Sequence, residues 1–358
     1  MNHEKFKKPW IMITGGLGYI GSHIVAALLE SKEFQDRDFV FMIFDNESTV
    51  AEPRKVIETL ENWNETAASR LVFYKGDVRD PQALKFAFDT MEFQCECVIH
   101  CAGVKAAGES VRKPLKYYSN NVVGSLTLLR LMQDNQCVNF IFSSSATVYG
   151  EPQHLPLTEK HPIAPINPYG QSKAMVEKIA RDWHAVAPTA RQVLLLRYMN
   201  PVGAHHSARL GETPNGEPQN LMPYVADVAL GKRSHVNVFG EDYATRDGTG
   251  IRDYIHIEDL ALAHVEAAAL ICTTGRMGTC RAVNVGRGEG VSVLEMIKAF
   301  SKASGRKIHG KIVERRAGDA AEVYCDNSEA KALLPRSHSN MKGVEEMCAS
   351  AWRFISQQ

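Results

Sequence analysis

The chain has 358 residues, enough for about two domains at roughly 150 residues each. With 44% hydrophobic and 23% charged residues, its composition is that of a globular protein, which excludes an intrinsically disordered chain. The 41 basic and 41 acidic residues give zero formal net charge, which argues against nucleic-acid partners and polybasic membrane attachment but permits an anionic substrate.

Short apolar runs alternate with helical patterns in the first half of the chain, which is typical of βαβ units and a parallel sheet. Several runs are apolar at successive positions, as expected for strands covered on both faces. Tyr19–Leu29 has apolar residues every four positions and predicts a helix, and the polar stretch Glu30–Asp38 follows it. The predicted strands are Trp10–Thr14, Phe39–Phe44, Arg70–Lys75, Cys97–Cys101, Phe140–Ser144 and Val193–Arg197.

The pattern changes after about residue 198, where glycine and proline become frequent and His235–Phe239 stands as an isolated strand. The helical stretch Ile257–Ile271 is predicted to return to the first part of the fold. We therefore predict an α/β protein with a Rossmann-type, doubly wound parallel sheet and a smaller α/β substrate-binding lobe. The expected domains are 1–198, rejoined by 257–285, and 199–358.

A glycine cluster follows the first predicted strand and opens the first predicted helix. Gly15, Gly18 and Gly21 have the spacing G-x-x-G-x-x-G, and Tyr19 and Ile20 lie in the same turn. Glycine permits a tight turn and lets backbone N–H groups approach a pyrophosphate at the positive end of a helix. A purely structural turn also uses glycine, but the strand before it and the helix after it favour a dinucleotide site.

Acidic and small residues stand at the ends of the next three predicted strands. Asp45 can accept a hydrogen bond from a ribose 2′-hydroxyl and would repel a 2′-phosphate, which favours NAD over NADP. Asp77 could accept from the adenine amino group, although both aspartates could instead be plain turn residues. The predicted cofactor residues at these strand ends are Asp45, Asn46, Asp77, Val78, Cys101, Ala102 and Gly103.

A tyrosine and a lysine have a spacing that suits proton transfer. Asn167-Pro168 predicts a helix start, and Tyr169 and Lys173 lie four apart on one helix face. A phenol has a pKa near 10, but an ammonium and a positively charged nicotinamide nearby would stabilise the phenolate and lower that pKa. Ser145, after the fifth strand, could hold a substrate hydroxyl in position. Such a Tyr–Lys pair is common by chance, yet with the glycine cluster it predicts catalysis beside a nicotinamide.

These motifs resemble the extended short-chain dehydrogenase/reductase family, and longer stretches resemble the UDP-galactose 4-epimerase family over nearly the whole chain. The resemblance implies interconversion of UDP-galactose and UDP-glucose by transient NAD-dependent oxidation at sugar C4. It also implies a homodimer formed through helices around Asn120–Leu131 and Tyr169–Ala180. The stretches are 103–111 (GVKAAGESV), 143–150 (SSSATVYG), 197–201 (RYMNP), 220–224 (NLMPY), 247–256 (DGTGIRDYIH) and 315–319 (RRAGD).

The resemblance further implies roles for individual residues. It makes Tyr169, Lys173 and Ser145 catalytic and adds Lys105, Asn120, Ser143, Tyr169 and Lys173 to the cofactor contacts. Arginine can bind diphosphate oxygens in a fork, although a single arginine more often forms a surface ion pair. The residues implied to contact a UDP-hexose are Lys105, Ser145, Tyr169, Asn200, Asn220, Leu221, Phe239, Arg252, Tyr254, Arg316, Asp319 and Val323.

Two positions depart from the resembled family or bear on specificity. Met199 stands where the family often has an aromatic residue beside Asn200. Val323 aligns with the position that limits the pocket near C2 of the sugar. Because valine is small, we expect UDP-GalNAc and UDP-GlcNAc to fit as well.

Two other functions remain open at this point. A nucleotide-sugar 4,6-dehydratase shares the fold and the Tyr–Lys pair but needs an acid and a base after the serine, where this chain has Ala146 and Thr147. A non-catalytic NAD-binding regulator usually loses the tyrosine or the lysine, and both are present here.

The eight cysteines do not form the paired C-x-x-C units of a zinc site or a regular disulfide pattern, so we predict free thiols and no metal. The run Trp10–Ile13 is short for a signal peptide, and no stretch approaches the roughly 18 apolar residues of a membrane helix. The sequence predicts a cytoplasmic protein with no membrane partner.

Overall fold

The computed structural model describes residues 7–218, 220–273, 278–316 and 319–358. The strands are β1 (Trp10–Thr14), β2 (Val40–Asp45), β3 (Leu71–Lys75), β4 (Cys95–His100), β5 (Asn139–Ser145), β6 (Gln192–Tyr198), β7 (Asn200–Val202), β8 (Val236–Phe239), β9 (Ile251–His256), β10 (Cys280–Val285), β11 (Gly290–Ser292), β12 (Gly310–Val313) and β13 (Glu322–Val323).

Helices cover both faces of the sheet and fill the second lobe. A π-helical turn (Tyr118–Val123) and a 3-10 turn (Ala146–Val148) interrupt the α-helical pattern. Within the residues described, no helix is both long and apolar enough to cross a membrane. The α-helices are α1 (Tyr19–Glu30), α2 (Lys32–Asp36), α3 (Pro53–Glu61), α4 (Ala67–Arg70), α5 (Pro81–Asp89), α6 (Ala107–Arg112), α7 (Pro114–Tyr117), α8 (Gly124–Asp134), α9 (Pro168–Ala185), α10 (Leu221–Ala229), α11 (Ile257–Thr273), α12 (Val293–Ser304), α13 (Ser328–Leu333), α14 (Pro335–Ser339) and α15 (Val344–Ile355).

Seven of the described strands form one parallel sheet in the order β10-β6-β5-β4-β1-β2-β3. At the end of β1, Thr14 pairs with Phe44 on one side and His100 on the other. The chain runs outward to β3 and then crosses back to β4, so the carboxyl end of β1 is the switch point of a doubly wound sheet. Ligands bind at such a point. The predicted α/β fold is confirmed.

The side chains of β1 alternate between two hydrophobic cores, one on each face of the sheet. Ile11 and Ile13 belong to a core formed with α1 and α11, whereas Trp10 and Met12 belong to a second core formed with α5, α8 and α9. Successive side chains of a strand point to opposite faces, so an apolar residue at every position buries both faces.

The six strands predicted in the first half are all present, with ends shifted by at most two residues. The predicted first helix is α1, and the polar stretch after it forms the short helix α2. The predicted strand at His235–Phe239 is β8, but it is not isolated, because it pairs in parallel with β12. That partner lies more than 70 residues further along the chain, so local pattern does not reveal it.

The second lobe is built around β9, which pairs with β7, β11 and β13. Its core includes Tyr254 of β9, Met296 and Phe300 of α12, and Met347 of α15. The chain also returns to the first lobe, because β10 joins the edge of the large sheet beside β6 and α11 packs against α1.

Candidate active site

The turn after β1 has room only for glycine at two of the three motif positions. Gly15 has a φ of +68°, and a Cβ there would lie 2.7 Å from the Ala102 nitrogen. A Cβ on Gly21 would lie 2.1 Å from the Gly15 carbonyl oxygen. No described side chain caps α1 at Gly18, so its first-turn N–H groups remain available to an anion. This turn fits the pyrophosphate of a dinucleotide.

Asp45 lies at the end of β2, beside this turn, and is only 7% exposed. Its carboxylate accepts hydrogen bonds from the backbone nitrogens of Leu17 (3.0 Å) and Glu47 (2.7 Å). Burial raises the pKa of Asp45, and these two hydrogen bonds oppose that rise. The carboxylate lines the cleft and is held in place by the same turn that carries the glycines, as the ribose-binding role predicted for it requires.

Asp77 has hydrogen-bond partners within the protein. Its oxygens accept from Arg79, at 2.7 and 2.9 Å, and from the Asn46 side chain at 3.0 Å. The Arg79 hydrogen bonds are the main reason that the pKa of Asp77 falls to about 2. Asn46 and Val78 line the cleft, whereas Asp77 is not among its lining residues. Asp77 therefore holds Asn46, which lines the cleft, in place.

Most of the predicted cofactor residues come together in one cleft at the carboxyl ends of β1, β2 and β4. Ser143, Tyr169 and Lys173 are not among the residues that line this cleft. The predicted residues that line the cleft are Gly15, Gly18, Tyr19, Ile20, Gly21, Asp45, Asn46, Val78, Cys101, Ala102, Gly103, Lys105, Asn120 and Asn220.

Helix α9 presents Tyr169 and Lys173 in its first two turns. The Asn167 side chain accepts a hydrogen bond from the Gly170 nitrogen at 2.9 Å and so fixes the helix start, as the Asn-Pro pair predicted. Tyr169 and Lys173 are 8% and 5% exposed. The Lys173 Nζ donates to the Ser143 carbonyl at 2.8 Å and lies 6.0 Å from the centre of the Tyr169 ring.

Burial governs the protonation of both groups. It lowers the pKa of Lys173 to about 8, because the ammonium is removed from water. It also raises the pKa of Tyr169, while a hydrogen bond with Ser145 lowers it. The sequence led us to expect a lowered pKa for Tyr169. In the protein without bound NAD the pKa is raised, because the loss of water around the phenolate outweighs the hydrogen bond with Ser145.

The three serines at the end of β5 have different surroundings. The Ser143 hydroxyl lies 3.0 Å from the Cys101 sulfur and 3.2 Å from His264 Nε2, so its side chain is already engaged. Ser144 donates to Glu177 at 2.6 Å. The Ser145 hydroxyl accepts from the Thr147 hydroxyl at 3.0 Å, and its hydrogen bond with Tyr169 lowers the pKa of that phenol.

The residues predicted to bind the UDP part assemble along β9 and its neighbours. Asn200 is paired with Tyr254, and Val323 with Arg252, in adjacent strands. The Arg252 guanidinium lies 3.8 Å from the Asp319 carboxylate.

Other members of this set lie at the ends of second-lobe elements. The Arg316 guanidinium stacks 4.3 Å from the centre of the Phe239 ring, at the end of β8. Asn220 and Leu221 begin α10. Ala317 and Gly318 of the RRAGD stretch lie outside the described residues, and Met199 is buried beside Gly286.

Glu212 is a residue that the sequence reasoning missed. One of its oxygens accepts from Lys105 Nζ at 3.0 Å and from the Asn220 side chain at 2.8 Å. It therefore joins a residue predicted to contact the cofactor to one predicted to contact UDP. Glu212 stands in an irregular loop where no periodicity points to it.

The buried pair of Glu177 and Arg197 was also missed. Two Arg197 nitrogens bond the Glu177 carboxylate, one at 2.8 Å, and both side chains are at most 4% exposed. Helical spacing could have found Glu177, because it lies four residues after Lys173 and eight after Tyr169 on the same face.

Known proteins with sequences similar to this chain identify its family. A family profile described as GDP-mannose 4,6 dehydratase matches residues 12–348. UDP-glucose 4-epimerase 2 of Arabidopsis thaliana is 48% identical over 346 residues, which is 97% of this chain and 95% of the relative. UDP-glucose 4-epimerase of Bacillus subtilis (strain 168) is 47% identical over 347 residues, covering 97% and 96% of the two chains. The chain belongs to the UDP-glucose 4-epimerase family.

A solved structure supports the same placement in the epimerase family. UDP-glucose 4-epimerase of Bifidobacterium longum, in complex with NAD+ and UDP, superposes with a TM-score of 0.87 at 42% identity, over 97% of this chain and 98% of that one.

The serine segment separates this family member from a dehydratase. Ala146 has no acidic or basic group, and Thr147 Oγ1 donates to the Ser145 hydroxyl at 3.0 Å. The acid and base that elimination of water needs are absent from these two positions, so the family profile's dehydratase name does not describe the chemistry of this site.

Proposed function

We propose that this protein interconverts UDP-galactose and UDP-glucose by transient, NAD-dependent oxidation at C4 of the sugar. The observation that carries the proposal is the first two turns of α9, which hold a buried Tyr169, hydrogen-bonded to Ser145, beside a buried Lys173. NAD, held by the glycine turn after β1 and by Asp45, would supply a hydride acceptor for C4 that can return the same hydride to the sugar.

The protein's part in the reaction is to move one proton. Tyr169 as phenolate takes the proton from the 4-hydroxyl and later gives it back, while Ser145 holds the sugar oxygen in line. Lys173 stabilises the phenolate and is itself held by the Ser143 carbonyl at 2.8 Å. Since burial alone raises the pKa of Tyr169, the positive charge of the ammonium and of the oxidised nicotinamide must supply the compensation.

The second lobe holds the part of the substrate that does not react. Arg252 and Arg316 lie on adjacent segments with Asp319 and Phe239, a combination suited to a diphosphate, a ribose and a base. Firm binding of UDP lets the oxidised sugar turn about its link to the diphosphate and present its other face.

A nuclear magnetic resonance assay in D2O tests this function directly. Purified protein with UDP-galactose and no added reductant should produce UDP-glucose, with no deuterium at C4 because the same hydride returns. Formation of a 4-keto-6-deoxy sugar would identify a dehydratase. Binding of NAD without any turnover would identify a regulator, and either result would overturn the proposal.

N-acetylated UDP-hexosamines are a second set of substrates. Val323 has a short side chain, is half-buried and pairs with Arg252, so it adjoins the predicted UDP site. UDP-GlcNAc should be turned over or should compete with UDP-galactose, and Val323→Tyr should weaken this effect while keeping UDP-galactose turnover. Neither turnover nor competition in the unmodified enzyme would exclude these substrates.

The proposed functional unit is a homodimer formed through α8 and α9. Val123 and Leu126 are 48% and 47% exposed, and Met175 is 39% exposed. The same helices border an apolar groove with Leu129, Ile179 and Trp183 in its walls. Exposed apolar side chains next to such a groove are typical of a protein interface.

The domain division and the compartment are also proposals. Residues 1–198 with 257–285 would bind NAD, and 199–358 would bind the UDP-sugar, which the position of β10 in the large sheet supports. All eight cysteines are free thiols, which supports a reducing compartment such as the cytoplasm.

A further inference from the structure

A cluster of imidazole and carboxylate groups lies outside the cofactor cleft. His205 and His206 stand in the loop after β7, Glu258 in the first turn of α11, and Glu30 at the end of α1. None of these four side chains is among those that line the cleft. They come from three separate parts of the chain and meet where the loop crosses between the two helices.

Three of these groups, His205, His206 and Glu258, bring their donor atoms together, and Glu30 lies next to His205. His205 Nε2 lies 3.4 Å from a Glu30 oxygen and 3.4 Å from a Glu258 oxygen. His206 Nδ1 lies 2.7 Å from the same Glu258 oxygen, and the ligand atoms of His205, His206 and Glu258 all fall within 4.8 Å of one another.

These separations suit a tetrahedral metal site. Zinc binds imidazole nitrogen and carboxylate oxygen at about 2.0–2.2 Å, so neighbouring ligands of a tetrahedron lie roughly 3.3–3.5 Å apart. The two 3.4 Å distances at His205 already match this edge. The shorter contact of His206 can open easily, because its side chain is 66% exposed.

Further hydrogen bonds orient the donor groups. Lys342 Nζ lies 3.2 Å from the other Glu258 oxygen, which leaves Oε1 facing the histidines. His205 Nδ1, on the other side of the ring from Nε2, lies 2.8 Å from the Ser207 hydroxyl. Partners of this kind on the far side of a ligand fix its orientation and strengthen metal binding.

We propose that His205, His206 and Glu258 form a site for a divalent transition metal, with Zn²⁺ as the ion that fits two imidazoles and a carboxylate, and that Glu30, next to His205, completes the site when the ion binds. The sequence led us to predict no metal site, because that expectation rested on cysteine spacing. A bound ion would tie α1 and α11 to the start of the loop that continues to Arg209 and Glu212 at the cleft. The site does not depend on the proposed epimerase reaction.

Isothermal titration calorimetry of the full chain, without a histidine tag, tests this site with ZnCl2. The unmodified protein should bind one Zn²⁺ in a step that His206→Ala weakens at least tenfold, because loss of a ligand should cost no less than the roughly 10–100-fold that follows loss of a ligand's hydrogen-bond partner. His309→Ala, which removes an exposed histidine outside the cluster, should leave the step unchanged. An unaltered isotherm for His206→Ala would overturn the proposal.

A crystal grown with ZnCl2 provides a second test that does not depend on the variants. Anomalous scattering at the zinc edge should place an ion among the four side chains. An ion bound to the cysteine thiols instead, or no anomalous peak at the cluster, would refute the site.

Discussion

At the scale of single residues, the candidate active site combines two titratable side chains whose pKa values would be ordinary if water surrounded them. Tyr169 and Lys173 are both buried, and burial shifts the two pKa values toward the neutral forms. The Tyr169 phenolate therefore needs further positive charge from a bound partner, because burial alone favours the neutral phenol.

Removing the Tyr169 hydroxyl should remove most of the activity. We expect Tyr169→Phe to lower kcat by about 10²–10⁴-fold, the range for loss of a general acid–base, with an unchanged melting temperature. Tyr224→Phe, which alters a tyrosine that packs against Arg233, is the matched control and should keep normal turnover. Near-normal kcat in Tyr169→Phe would remove this residue from the mechanism.

Lys173 should make stability depend on alkaline pH. Its ordinary pKa is 10.5 and its folded pKa is about 8, so between these values the unfolded chain binds more protons. The free energy of unfolding should therefore rise as the pH increases through this window, by at most ~3 kcal/mol. The Lys173→Met variant should lack this rise. Urea unfolding of both proteins from pH 7 to 10 measures the difference, and parallel pH profiles would contradict it.

Glu212 should position two binding residues without acting in the chemical step. Glu212→Gln keeps an acceptor for Asn220 but loses the charge that holds Lys105. We expect a several-fold higher KM for UDP-galactose and faster loss of NAD, with kcat changed little. Glu289→Gln, at an exposed pair with Arg287, is the control. A fall in kcat alone would show that Glu212 acts in the chemistry.

At the scale of elements, the position of α9 against the sheet depends on a buried ion pair. Glu177 of α9 binds Arg197 of β6 and accepts from Ser144 of β5, so one carboxylate joins three elements. This contact fixes the helix next to the strand end that carries Ser145. The Asn167 cap fixes the beginning of the same helix.

Breaking that pair should be costly. Glu177→Ala leaves the Arg197 charge buried and unpaired, and we expect a loss of about 3–5 kcal/mol in the free energy of unfolding. The exposed pair of Lys178 and Asp182 on the same helix provides the control, since Lys178→Ala should cost less than about 1 kcal/mol. Equal denaturation midpoints for the two variants would show that the buried pair does not anchor α9.

At the scale of the whole molecule, the proposed dimer should dissociate when charge is placed on its apolar surface. In sedimentation equilibrium the unmodified protein should be a dimer, and Leu126→Glu should be a monomer, because a carboxylate in an apolar interface is expensive to desolvate. Ile312→Glu alters an exposed apolar residue of the second lobe and should leave the dimer intact. A dimeric Leu126→Glu would place the interface elsewhere.

The sequence by itself determined the features that depend on neighbours along the chain. Short apolar runs predicted the six strands of the first half, and apolar periodicity predicted α1. The glycine spacing predicted the turn, and the four-residue spacing placed Tyr169 and Lys173 on one face of α9. These signals are local because strand and helix geometry repeats every two or 3.6 residues.

Only the tertiary structure decided which distant groups meet and how burial changes them. It joined Lys105 to Glu212, 107 residues away, paired β8 with β12, and brought His205 to Glu30 and Glu258. It also showed that burial raises the pKa of Tyr169 in the protein alone, because that direction depends on how much water the fold removes. Long-range contacts and desolvation leave no periodic signal in the chain, so the sequence could not supply them.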